Sequence, residues 1–421
     1  MTDQTMRFST TLREHVRKQI ERLGHADIVI GVPAYFSGSS IVHVIQTIAT
    51  GLEKYYPDSK AVIMVSDGGS TDDTREIANL VQIPSYNIQK IVTIYRGLPG
   101  KGSGLRSVFE VANFFKAKAV AVFDSDLISI TPDWIRNVLE PVHAGYDFVA
   151  PYYRRYKLDG TITNTIAYNL TRALYGCRIR QPIGDDFGMS QRLVKYYYDQ
   201  DVWETDVARF GIDIWMTTTA IVGGFKICQA RLGIKVHGEK DPAADLGPMF
   251  RQVVGTVFQL MEQNLDFWKK IKGSRDIPVL GEEVKTEPSA FDIDQDSLIE
   301  YFRVGYNNFA GVWDRFIEAR DLEVVKDLVA VRKKEDFYLP VQTWVRIVYR
   351  YARQFHSTPR QRFKVLDTLV PLYNARVASL INELKDLDPE SAERSFEQHA
   401  LEFERMKDYL IKIWEKEAHD G

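Results

Sequence analysis

The segment Ala119-Val-Ala-Val-Phe123-Asp124-Ser125-Asp126 is an apolar run that ends in two aspartates, and it is the strongest indication of the fold class. A short apolar run bounded by polar residues is typical of a strand buried on both faces. Side chains two positions apart on an extended chain project to the same side, so Asp124 and Asp126 can share one cation. A divalent ion held by few carboxylates keeps coordination positions open for substrate phosphates. The stretch therefore predicts a buried strand followed by a metal site.

Strands and helices alternate on both sides of this stretch. Apolar runs predict strands at 27–33, 61–66, 90–95, 119–123 and 146–150, with helices at 41–55, 72–80, 103–115 and 132–143 between them. Such alternation indicates βαβ units and a mainly parallel sheet, which is the α/β class. Ligands of these sheets bind beyond the carboxyl ends of the strands. Because the two aspartates follow the fourth strand, a metal site is favoured over the solvated strand end that an isolated Asp-x-Asp usually is.

The chain divides into three predicted parts. Residues 1–26 carry an N-terminal helix (10–23), residues 27–245 form an α/β catalytic domain, and residues 246–421 form a helical C-terminal domain. The last part is expected to hold helices at 250–271, 297–309, 313–331, 340–355 and 360–387, and one long helix at 390–417. Their aromatic faces are predicted to be core rather than a ligand site, and homo-oligomerisation through this part is left open.

The composition excludes several classes of protein. The chain has 421 residues with 54 Lys plus Arg against 57 Asp plus Glu, a net charge of −3, which gives no general attraction to nucleic acid. No stretch reaches the roughly 20 apolar residues of a membrane-spanning helix, and the polar N-terminus lacks the apolar core of a secretory signal. Cys177 and Cys228 are too few for a disulfide framework and are expected to be buried thiols. A soluble cytoplasmic protein without stable membrane insertion is the resulting expectation.

A polar turn follows the second predicted strand, with the sequence Asp67-Gly-Gly-Ser-Thr-Asp72-Asp73. Its glycines allow tight turning, and Ser70, Thr71 or Asp72 can cap the next helix. Asp67 at the strand end can accept hydrogen bonds from a base or ribose. A well-made turn with a helix cap explains the same residues, and the motif alone does not choose between the two.

A second glycine-rich turn follows the third predicted strand, with the sequence Leu98-Pro-Gly-Lys101-Gly-Ser-Gly104. Glycines, a lysine and a helix N-terminus together suit a diphosphate. The spacing is not that of a P-loop, so the motif does not indicate an ATPase. A lysine in such a turn is otherwise a solvated surface residue.

Together, these motifs form an ordered set that spans about residues 27–240. The set comprises Val32–Tyr35, Ser66–Asp72, Pro99–Gly102, Asp124–Asp126, Tyr153–Arg155, Gly160–Thr163, Gln181–Asp186, Gly211–Asp213 and Val236–His237. In this order it resembles the GT-A glycosyltransferases. It is similar in particular to the retaining enzymes that make glucosyl-3-phosphoglycerate, glucosylglycerate and mannosylglycerate. The resemblance implies a Rossmann-like GT-A domain, which in those families is often followed by a helical region.

The resemblance also implies a role for each matching position. It implies a nucleotide-sugar site formed by Pro33, Ala34, Asp67, Lys101, Gly102, Asp124 and Ser125. It implies an acceptor site formed by Arg155, Thr163, Gly184 and Asp185. Asp124, Asp126 and His237 are the implied ligands of Mg²⁺ or Mn²⁺, and His237 ends the strand-like run 227–236, from which its ring can reach the two carboxylates. Lys101 is expected to assist the leaving diphosphate, and Asp213 to orient the acceptor hydroxyl or stabilise a positively charged transition state.

Three positions depart from the family pattern. No acidic residue follows Pro33-Ala34, where relatives place one near the base, so the base preference is left open. Thr161 stands where the phosphoglycerate-using enzymes have an arginine, and Gly238-Glu-Lys-Asp241 replaces their arginine and asparagine after the metal histidine. Fewer cations favour unphosphorylated glycerate as the acceptor, although Arg154, Lys157 or Lys240 can still bind a phosphate.

The leading hypothesis is therefore a retaining hexosyltransferase. It moves glucose or mannose from a nucleoside-diphosphate sugar to D-glycerate or 3-phosphoglycerate, giving a compatible solute. Two alternatives share the N-terminal motifs. One is an inverting GT-A transferase that uses a polyprenyl phosphate at the membrane, and the other is an inactive relative whose helical half serves assembly.

Overall fold

A computed structural model describes residues 9–237, 242–283 and 286–416 of the chain. The segment Gly238–Asp241, with its departure from the family pattern and Lys240, lies outside the described residues. The strands are β1 (Ile28–Ala34), β2 (Ala61–Asp67), β3 (Ile88–Ile94), β4 (Ala119–Val122), β5 (Phe148–Arg154), β6 (Cys177–Arg178), β7 (Phe187–Ser190), β8 (Ile227–Ile234), β9 (Arg275–Asp276) and β10 (Val279–Leu280).

The helices alternate with the strands in the first half of the chain and follow one another in the second half. The first half has α1 (Glu14–Leu23), α2 (Ile41–Tyr55), α3 (Thr74–Leu80), α4 (Lys101–Phe115), α5 (Pro132–His143), α6 (Tyr168–Tyr175), α7 (Gln191–Tyr198) and α8 (Ile212–Val222). The second half has α9 (Pro242–Gln263), α10 (Leu265–Trp268), α11 (Gln295–Trp313), α12 (Ala319–Ala330), α13 (Val341–Ser357), α14 (Arg362–Leu384), α15 (Pro389–Arg405) and α16 (Lys407–Lys416).

The central sheet has the strand order β10-β8-β5-β7-β4-β1-β2-β3. All neighbours are parallel except β7, which runs antiparallel to both β4 and β5. The predicted α/β class, with a mainly parallel sheet, flanking helices and a C-terminal helical region, is confirmed. Strand β7 was absent from the prediction because its four residues, Phe187-Gly-Met-Ser190, show neither a long apolar run nor a regular alternation.

Helix α4 packs unusually close to β1, in the middle of the sheet. A methyl group at Gly31 would lie 2.6 Å from Cγ1 of Val108, so the glycine allows the helix to approach the strand. Ile28, Ile30 and Val32, which alternate with Gly31 along β1, are fully buried in the hydrophobic core on the other face of the sheet. The close packing at Gly31 fixes the axis of α4, and with it the helix N-terminus that carries Lys101.

The chain forms two compact units. The first consists of residues 1–154, 183–241 and 277–286, and the second of residues 155–182, 242–276 and 287–421. We keep the division into parts 1–26, 27–245 and 246–421 as a proposal about which segments fold independently. Three segments cross its later boundary: 155–182 and 242–245 lie in the second unit, and 277–286 lies in the first.

The second unit is helical, apart from a two-stranded sheet of β6 and β9. Several of its aromatic residues are core, as predicted: Trp313, Trp344 and Tyr349 are at most 1% exposed. Tyr301, Tyr338 and Phe363, in contrast, are more than half exposed. The prediction of one helix over 390–417 was wrong, because α15 ends at Arg405 and α16 begins at Lys407. At the break, Lys407 donates a hydrogen bond to the carbonyl oxygen of Ile271 at 2.7 Å, a tertiary contact that helical periodicity does not reveal.

Two further predictions concern the whole chain. Cys177 and Cys228 are both buried and unpaired with each other, as expected. Across the described ranges, no helix is long and apolar enough to cross a membrane.

Candidate functional site

The predicted nucleotide-binding residues lie at the carboxyl edge of the parallel strands. In the register between β1 and β2, Pro33 pairs with Ser66 and Ala34 with Asp67. The backbone N–H of Gly68 donates to the carbonyl oxygen of Ala34 at 2.8 Å, which holds the two strand ends together. The structure therefore brings Pro33, Ala34 and Asp67 to one edge, where ligands of parallel sheets bind.

The carboxylate of Asp67 is engaged within its own turn. It accepts hydrogen bonds from the N–H groups of Gly69 at 2.8 Å and Ser70 at 2.9 Å, and from the Ser70 hydroxyl at 2.5 Å. The guanidinium of Arg75 lies 3.4 Å away, and the Asp67 side chain is fully buried. Asp67 thus organises the turn, which is the simpler of the two interpretations that the sequence left open.

Lys101 is the first residue of α4, and two glycines determine its position. Gly100, the residue before the helix, has a positive φ of 152°, and a methyl group there would lie 2.6 Å from the carbonyl oxygen of Ala208. A methyl group at Gly102 would lie 1.8 Å from the carbonyl oxygen of Val207. Only glycines allow this turn to lie against residues 207–208, so the same two residues that suggested a diphosphate site also fix the lysine.

The ammonium group of Lys101 contacts three carboxylates from three separate parts of the chain. Its Nζ lies 3.0 Å from Oδ1 of Asp124, 2.6 Å from Oδ1 of Asp185 and 3.2 Å from Oδ2 of Asp213. Asp124 follows β4, Asp185 precedes β7, and Asp213 lies in the first turn of α8. The structure therefore joins residues that the sequence assigned separately to the donor, the acceptor and catalysis.

A second lysine, Lys235, completes this cluster and was missed by the sequence analysis. Its Nζ lies 2.9 Å from Oδ2 of Asp185, 3.1 Å from Oδ2 of Asp186 and 3.5 Å from Oδ2 of Asp124. Its side chain is 1% exposed. A lysine this buried is unusual unless it is paired, and its position directly after the apolar strand β8 was the available signal.

Asp186 and Tyr153 form the buried side of the cluster and were also missed. The Tyr153 hydroxyl hydrogen-bonds to Oδ2 of Asp186 and, at 3.2 Å, to the carbonyl oxygen of Gly184. Oδ1 of Asp186 accepts from the backbone N–H of Asp124 at 3.0 Å. Asp186 thereby connects the loop before β7 to the loop after β4, which positions Asp124.

The charges of the cluster shift the pKa values in opposite directions. Burial disfavours the charged form of Lys101, but its three carboxylate neighbours raise its pKa well above the ordinary value. Burial likewise opposes ionisation of Asp185, but Lys101 and Lys235 lower its pKa well below the ordinary value. Burial raises the pKa of Asp213 well above the ordinary value, opposed by Lys101 and reinforced by the charge of Asp185. Asp185 is thus the ionised partner of the lysines, and Asp213 is the carboxyl group that holds a proton most readily.

Asp213 keeps one oxygen available. Its Oδ2 contacts Lys101, whereas Oδ1 is buried without a hydrogen-bond partner among the described residues. A buried carboxyl oxygen without a partner is costly and marks a position where a ligand group can be accepted. This geometry suits a residue that contacts a substrate hydroxyl.

The predicted metal ligands come from neighbouring backbone segments. Leu127 and His237 form an isolated antiparallel bridge, so Asp126 is one residue away from the position paired with His237. The hydroxyls of Ser37 and Ser125 lie 2.6 Å apart, which anchors the Asp-Ser-Asp loop between Asp124 and Asp126. Within the residues that the structure describes, however, no three His, Cys, Asp or Glu side chains are already arranged as a metal-binding group.

The donor chemistry nevertheless fits a divalent cation. The cluster holds four carboxyl groups and two ammonium groups, which leaves a surplus of two negative charges when all four carboxyl groups are ionised and of one when Asp213 holds its proton. Mg²⁺ and Mn²⁺ prefer oxygen ligands, and Mg²⁺ is usually held by one or two carboxylates together with substrate phosphates and water. An ion at Asp124, Asp126 and His237 would therefore depend on the bound diphosphate to complete its coordination.

The four predicted acceptor residues fall in different units. Gly184 and Asp185 belong to the first unit, where Asp185 has a positive φ of 74° and the Gly184 carbonyl accepts from Lys235 at 3.2 Å. Arg155 and Thr163 belong to the second unit, where they line one small cavity and Arg155 lies 3.7 Å from Asp159. Their assignment to one acceptor site stays a prediction.

Comparison with known proteins agrees with these motifs. Residues 60–256 match the family model described as the mannosylglycerate synthase GT domain. This part of the chain therefore resembles a glycosyltransferase of the type that the ordered motif set predicted. A curated relative is mannosylglycerate synthase from Rhodothermus marinus, which is 26% identical over 134 residues, covering 31% of this chain. The chain spans about a third (34%) of the length of that curated relative.

Two solved structures of glucosyl-3-phosphoglycerate synthase from Mycobacterium tuberculosis are also similar. The complex with Mg²⁺ and uridine diphosphate gives a TM-score of 0.44 at 23% identity and covers 60% of this chain and 85% of that chain. The complex with Mn²⁺, UDP-glucose and phosphoglyceric acid gives a TM-score of 0.44 at 23% identity and covers 58% and 83%.

Proposed function

We propose that the protein is a metal-dependent hexosyltransferase that moves glucose or mannose from a nucleoside-diphosphate sugar to D-glycerate or 3-phosphoglycerate. The observation that carries this proposal is the contact of Lys101 with Asp124, Asp185 and Asp213. These residues form a buried ionic cluster at the carboxyl edge of the sheet, within the segment that matches a glycosyltransferase domain.

The donor would bind along the carboxyl ends of β1, β2 and β4. Lys101 would contact the diphosphate, because its ammonium is held at the start of α4, where the helix dipole also favours an anion. The remaining proposed donor contacts are Pro33, Ala34, Asp67, Gly102, Asp124 and Ser125. Asp67 would act through its turn rather than through a free carboxylate, since its oxygens are already engaged.

Asp124, Asp126 and His237 would hold Mg²⁺ or Mn²⁺. The ion would supply neutralisation of the charge that develops on the leaving diphosphate. Lys101 would stabilise the same charge from the protein side, and it can do so without reorganisation because its position is fixed before the substrate binds. Lys235 would hold the carboxylates of Asp124 and Asp185 in place.

The acceptor would bind next to Asp213, with Gly184 and Asp185 as its other proposed contacts in the first unit. The assignment of Arg155 and Thr163 to the acceptor rests on the resemblance. The Oδ1 of Asp213, which has no hydrogen-bond partner among the described residues, would orient the acceptor hydroxyl or, in the ionised carboxylate, stabilise positive charge on the sugar. The acceptor oxygen then bonds to the anomeric carbon, the bond from that carbon to the diphosphate oxygen breaks, and the acceptor proton passes to the leaving phosphate. Retention of configuration is part of the proposal and is supported by the resemblance.

We further propose unphosphorylated glycerate as the preferred acceptor. Thr161, which replaces an arginine of the phosphoglycerate-using enzymes, is engaged within the second unit, where its hydroxyl lies 2.6 Å from that of Tyr373. It therefore offers no charge to a phosphate. The free buried thiols support a reducing compartment, for which we propose the cytoplasm.

The test is to incubate the purified protein with Mg²⁺ or Mn²⁺, UDP-, GDP- and ADP-hexoses, and glycerate or 3-phosphoglycerate, and to measure released nucleotide. Release that depends on the acceptor is the expected result, and product analysis by NMR would give the anomeric configuration. Release with a polyprenyl phosphate alone would contradict the glycerate acceptor. Binding of no nucleotide sugar in calorimetry would contradict the transferase proposal and favour an inactive relative.

A further inference from the structure

A cavity in the second unit lies between helix α11 and the segment that follows α12. Its volume is about 390 Å³, which falls within the range of roughly 300–1,000 Å³ that is usual for small-molecule sites. Side chains from residues 296–303 form one wall, and residues 331–337 form the other. None of the residues that line it belongs to the proposed donor, acceptor or metal sites, so the transferase proposal leaves this cavity unexplained.

The inner surface of the cavity is apolar and is held in place. Ile299 and Phe337 are buried, and the Phe337 ring packs edge to face against Phe302 with the centroids 5.7 Å apart. The carbonyl oxygens of Lys334 and Phe337 accept hydrogen bonds from Nδ2 of Asn382 in α14, at 2.6 Å and 3.0 Å. The segment after α12 is therefore fixed before any ligand binds, which lowers the entropy cost of binding.

The rim of the cavity is positively charged. Four cations line it against two carboxylates, which leaves a formal surplus of two positive charges on a chain whose net charge is −3. The cations are Arg303, Arg332, Lys333 and Lys334, and the carboxylates are those of Asp296 and Glu300. Glu335 and Asp336, the next acidic residues along the chain, do not line the cavity. The cavity wall thus has a charge opposite to that of the chain as a whole.

Three of these cations keep hydrogen-bond donors for a ligand, whereas Lys334 is paired with Asp296. Within the part of the chain that the structure describes, neither Arg332 nor Lys333 forms an ion pair, and both are exposed. Nη2 of Arg303 donates to the carbonyl oxygen of Val331 at 2.6 Å, while its Nη1 lies 3.9 Å from the nearest oxygen of Glu300, beyond hydrogen-bond distance. The Arg303 guanidinium is thereby directed from α11 toward the segment that carries the other two cations.

The helix dipole explains part of this arrangement. Cations near a helix C-terminus are favoured by the dipole, and residues 332–334 directly follow Val331, the C-cap of α12. The dipole accounts neither for the cavity nor for the guanidinium of Arg303, which comes from another helix. Two elements therefore supply cations to one cavity, an arrangement that suits an anionic ligand.

We propose that this cavity binds a small phosphate monoester, at a site separate from the transferase site. A phosphate monoester carries about −1.5 to −2 charges at neutral pH, which matches the surplus of two positive charges, whereas a single carboxylate would neutralise half of it. Arg303, Arg332 and Lys333 bind the phosphate, since guanidinium groups donate paired hydrogen bonds to phosphate oxygens. The organic part of the ligand lies against Ile299 and Phe337, in the volume that the phosphate leaves.

The test is calorimetric titration of the full-length protein with glucose 6-phosphate, 3-phosphoglycerate and inorganic phosphate, the last of which probes the cations without an organic part. We expect inorganic phosphate to bind, at least one ester to bind more tightly, and glucose to show no binding that depends on the cavity. Arg332→Gln/Lys333→Gln should raise the Kd of the phosphate compounds about 10–100-fold. Binding of uridine diphosphate with Mg²⁺ should be unchanged in this variant, because neither residue belongs to the proposed donor site.

The matched control is Arg360→Gln/Lys364→Gln, which removes the same two charges from exposed positions of the second unit that do not line the cavity. This variant should bind the phosphate compounds like the wild type. Equal Kd values for the wild type and Arg332→Gln/Lys333→Gln would overturn the proposal, because binding would then occur elsewhere. An equal loss in the control would overturn it too, since the effect would then reflect net charge alone.

Two further outcomes would also overturn the proposal. The first is a wild type that binds none of the three phosphate compounds. The second is binding to phosphatidic acid vesicles that depends on Arg332 and Lys333 while the soluble compounds do not bind, because the cations would then serve a membrane surface.

Discussion

Gly102 lies directly against the backbone carbonyl of Val207, with no room for a side chain between them. The N–H of Gly102 donates to the carbonyl oxygen of Arg209 at 3.2 Å, which joins the start of α4 to the same loop. The neighbouring residue Lys101 receives its position among the carboxylates from this contact. The geometry of the proposed diphosphate site therefore depends on the loop before α8 as much as on the glycine-rich turn itself.

Replacement of Gly102 by alanine should separate these two segments. The methyl group would lie 1.8 Å from a backbone oxygen, which cannot move like a flexible side chain. We expect a loss of about 1–3 kcal/mol in the free energy of unfolding and a loss of nucleotide binding, measured by urea denaturation and calorimetry. Gly311→Ala is the control, because that exposed helical glycine has no heavy atom within 4 Å and alanine should be neutral or stabilising there. Wild-type stability of Gly102→Ala would contradict the expectation.

Asp213→Asn should lower kcat while leaving the stability of the fold nearly unchanged. The pKa of Asp213 is raised well above its ordinary value by burial and by nearby carboxylates, so an uncharged amide resembles its protonated form. We expect thermal stability to change by less than about 1 kcal/mol, and kcat to fall by about 100–1,000-fold. Asp201→Asn, at an exposed position after α7, serves as the control and should keep kcat. A large drop in melting temperature with normal kcat would show that Asp213 is structural.

Lys235 and Asp186 should be energetically coupled. Lys235→Met leaves the buried carboxylates of Asp185 and Asp186 without this partner, and breaking a buried pair costs about 3–5 kcal/mol. The double variant Lys235→Met/Asp186→Asn also lacks the Asp186 carboxylate, so fewer buried charges are left unpaired. Its loss of unfolding free energy should therefore be smaller than the sum of the losses in the two single variants. The coupling is measured by urea denaturation of the four proteins in the cycle. Additive losses would show that the two side chains do not interact.

The parallel part of the sheet can be predicted from the sequence because its strands are continuous apolar runs between helices. Strand β7 cannot, because it is specified by pairing with β4 and β5, whose residues lie about 40 to 70 positions earlier in the chain. The break at Met406 between α15 and α16 is similarly a tertiary feature. Local periodicity thus defines the layers of the fold, while the central antiparallel strand and the helix ends depend on long-range contacts.

Individual site residues can also be predicted, since each motif carries its own chemistry. What the sequence does not reveal is that one ammonium group, that of Lys101, contacts Asp124, Asp185 and Asp213 together. Three loops converge to make that contact, and no spacing along the chain encodes it. Lys235 carries no recognisable motif of its own, although a lysine at the end of an apolar strand is itself an unusual feature.

His237→Ala should abolish turnover and weaken Mn²⁺ binding while the fold stays intact. The imidazole is exposed, so its removal creates no cavity. Mn²⁺ titration by calorimetry in the presence of uridine diphosphate measures the binding, and Asp126→Ala should behave alike. His15→Ala, at an exposed position of α1, is the control. Removal of the metal with a chelator should abolish wild-type activity reversibly. Normal turnover of either ligand variant would contradict the metal assignment.

The second unit contains a buried ion pair whose contribution to the free energy of unfolding should be lost at acid pH. Burial alone would raise the pKa of Glu383, but hydrogen bonds from Arg376 and His399 lower it to about 2. Arg376 and Glu383 form a guanidinium–carboxylate pair, in which Nη2 of Arg376 lies 2.8 Å from Oε2 of Glu383. In the unfolded chain, Glu383 takes up a proton at its ordinary pKa, which is higher than its pKa in the folded protein. The stabilisation by this ion pair is therefore complete above the ordinary glutamate pKa and is lost as the pH falls toward about 2.

The lowered pKa of Glu383 corresponds to a stabilisation of the folded protein on the order of 3 kcal/mol at neutral pH. Urea denaturation between pH 5 and pH 2.5 should therefore show a decline in the free energy of unfolding that is shallower in Glu383→Gln, because the amide has no proton to gain. The variant should also be less stable than the wild type at neutral pH, where it loses the charged partner of Arg376. Glu390→Gln, which removes an exposed carboxylate from the first turn of α15, is the control and should keep the wild-type slope. Equal slopes for Glu383→Gln and the wild type would contradict the assignment of the acid-sensitive term to this buried ion pair.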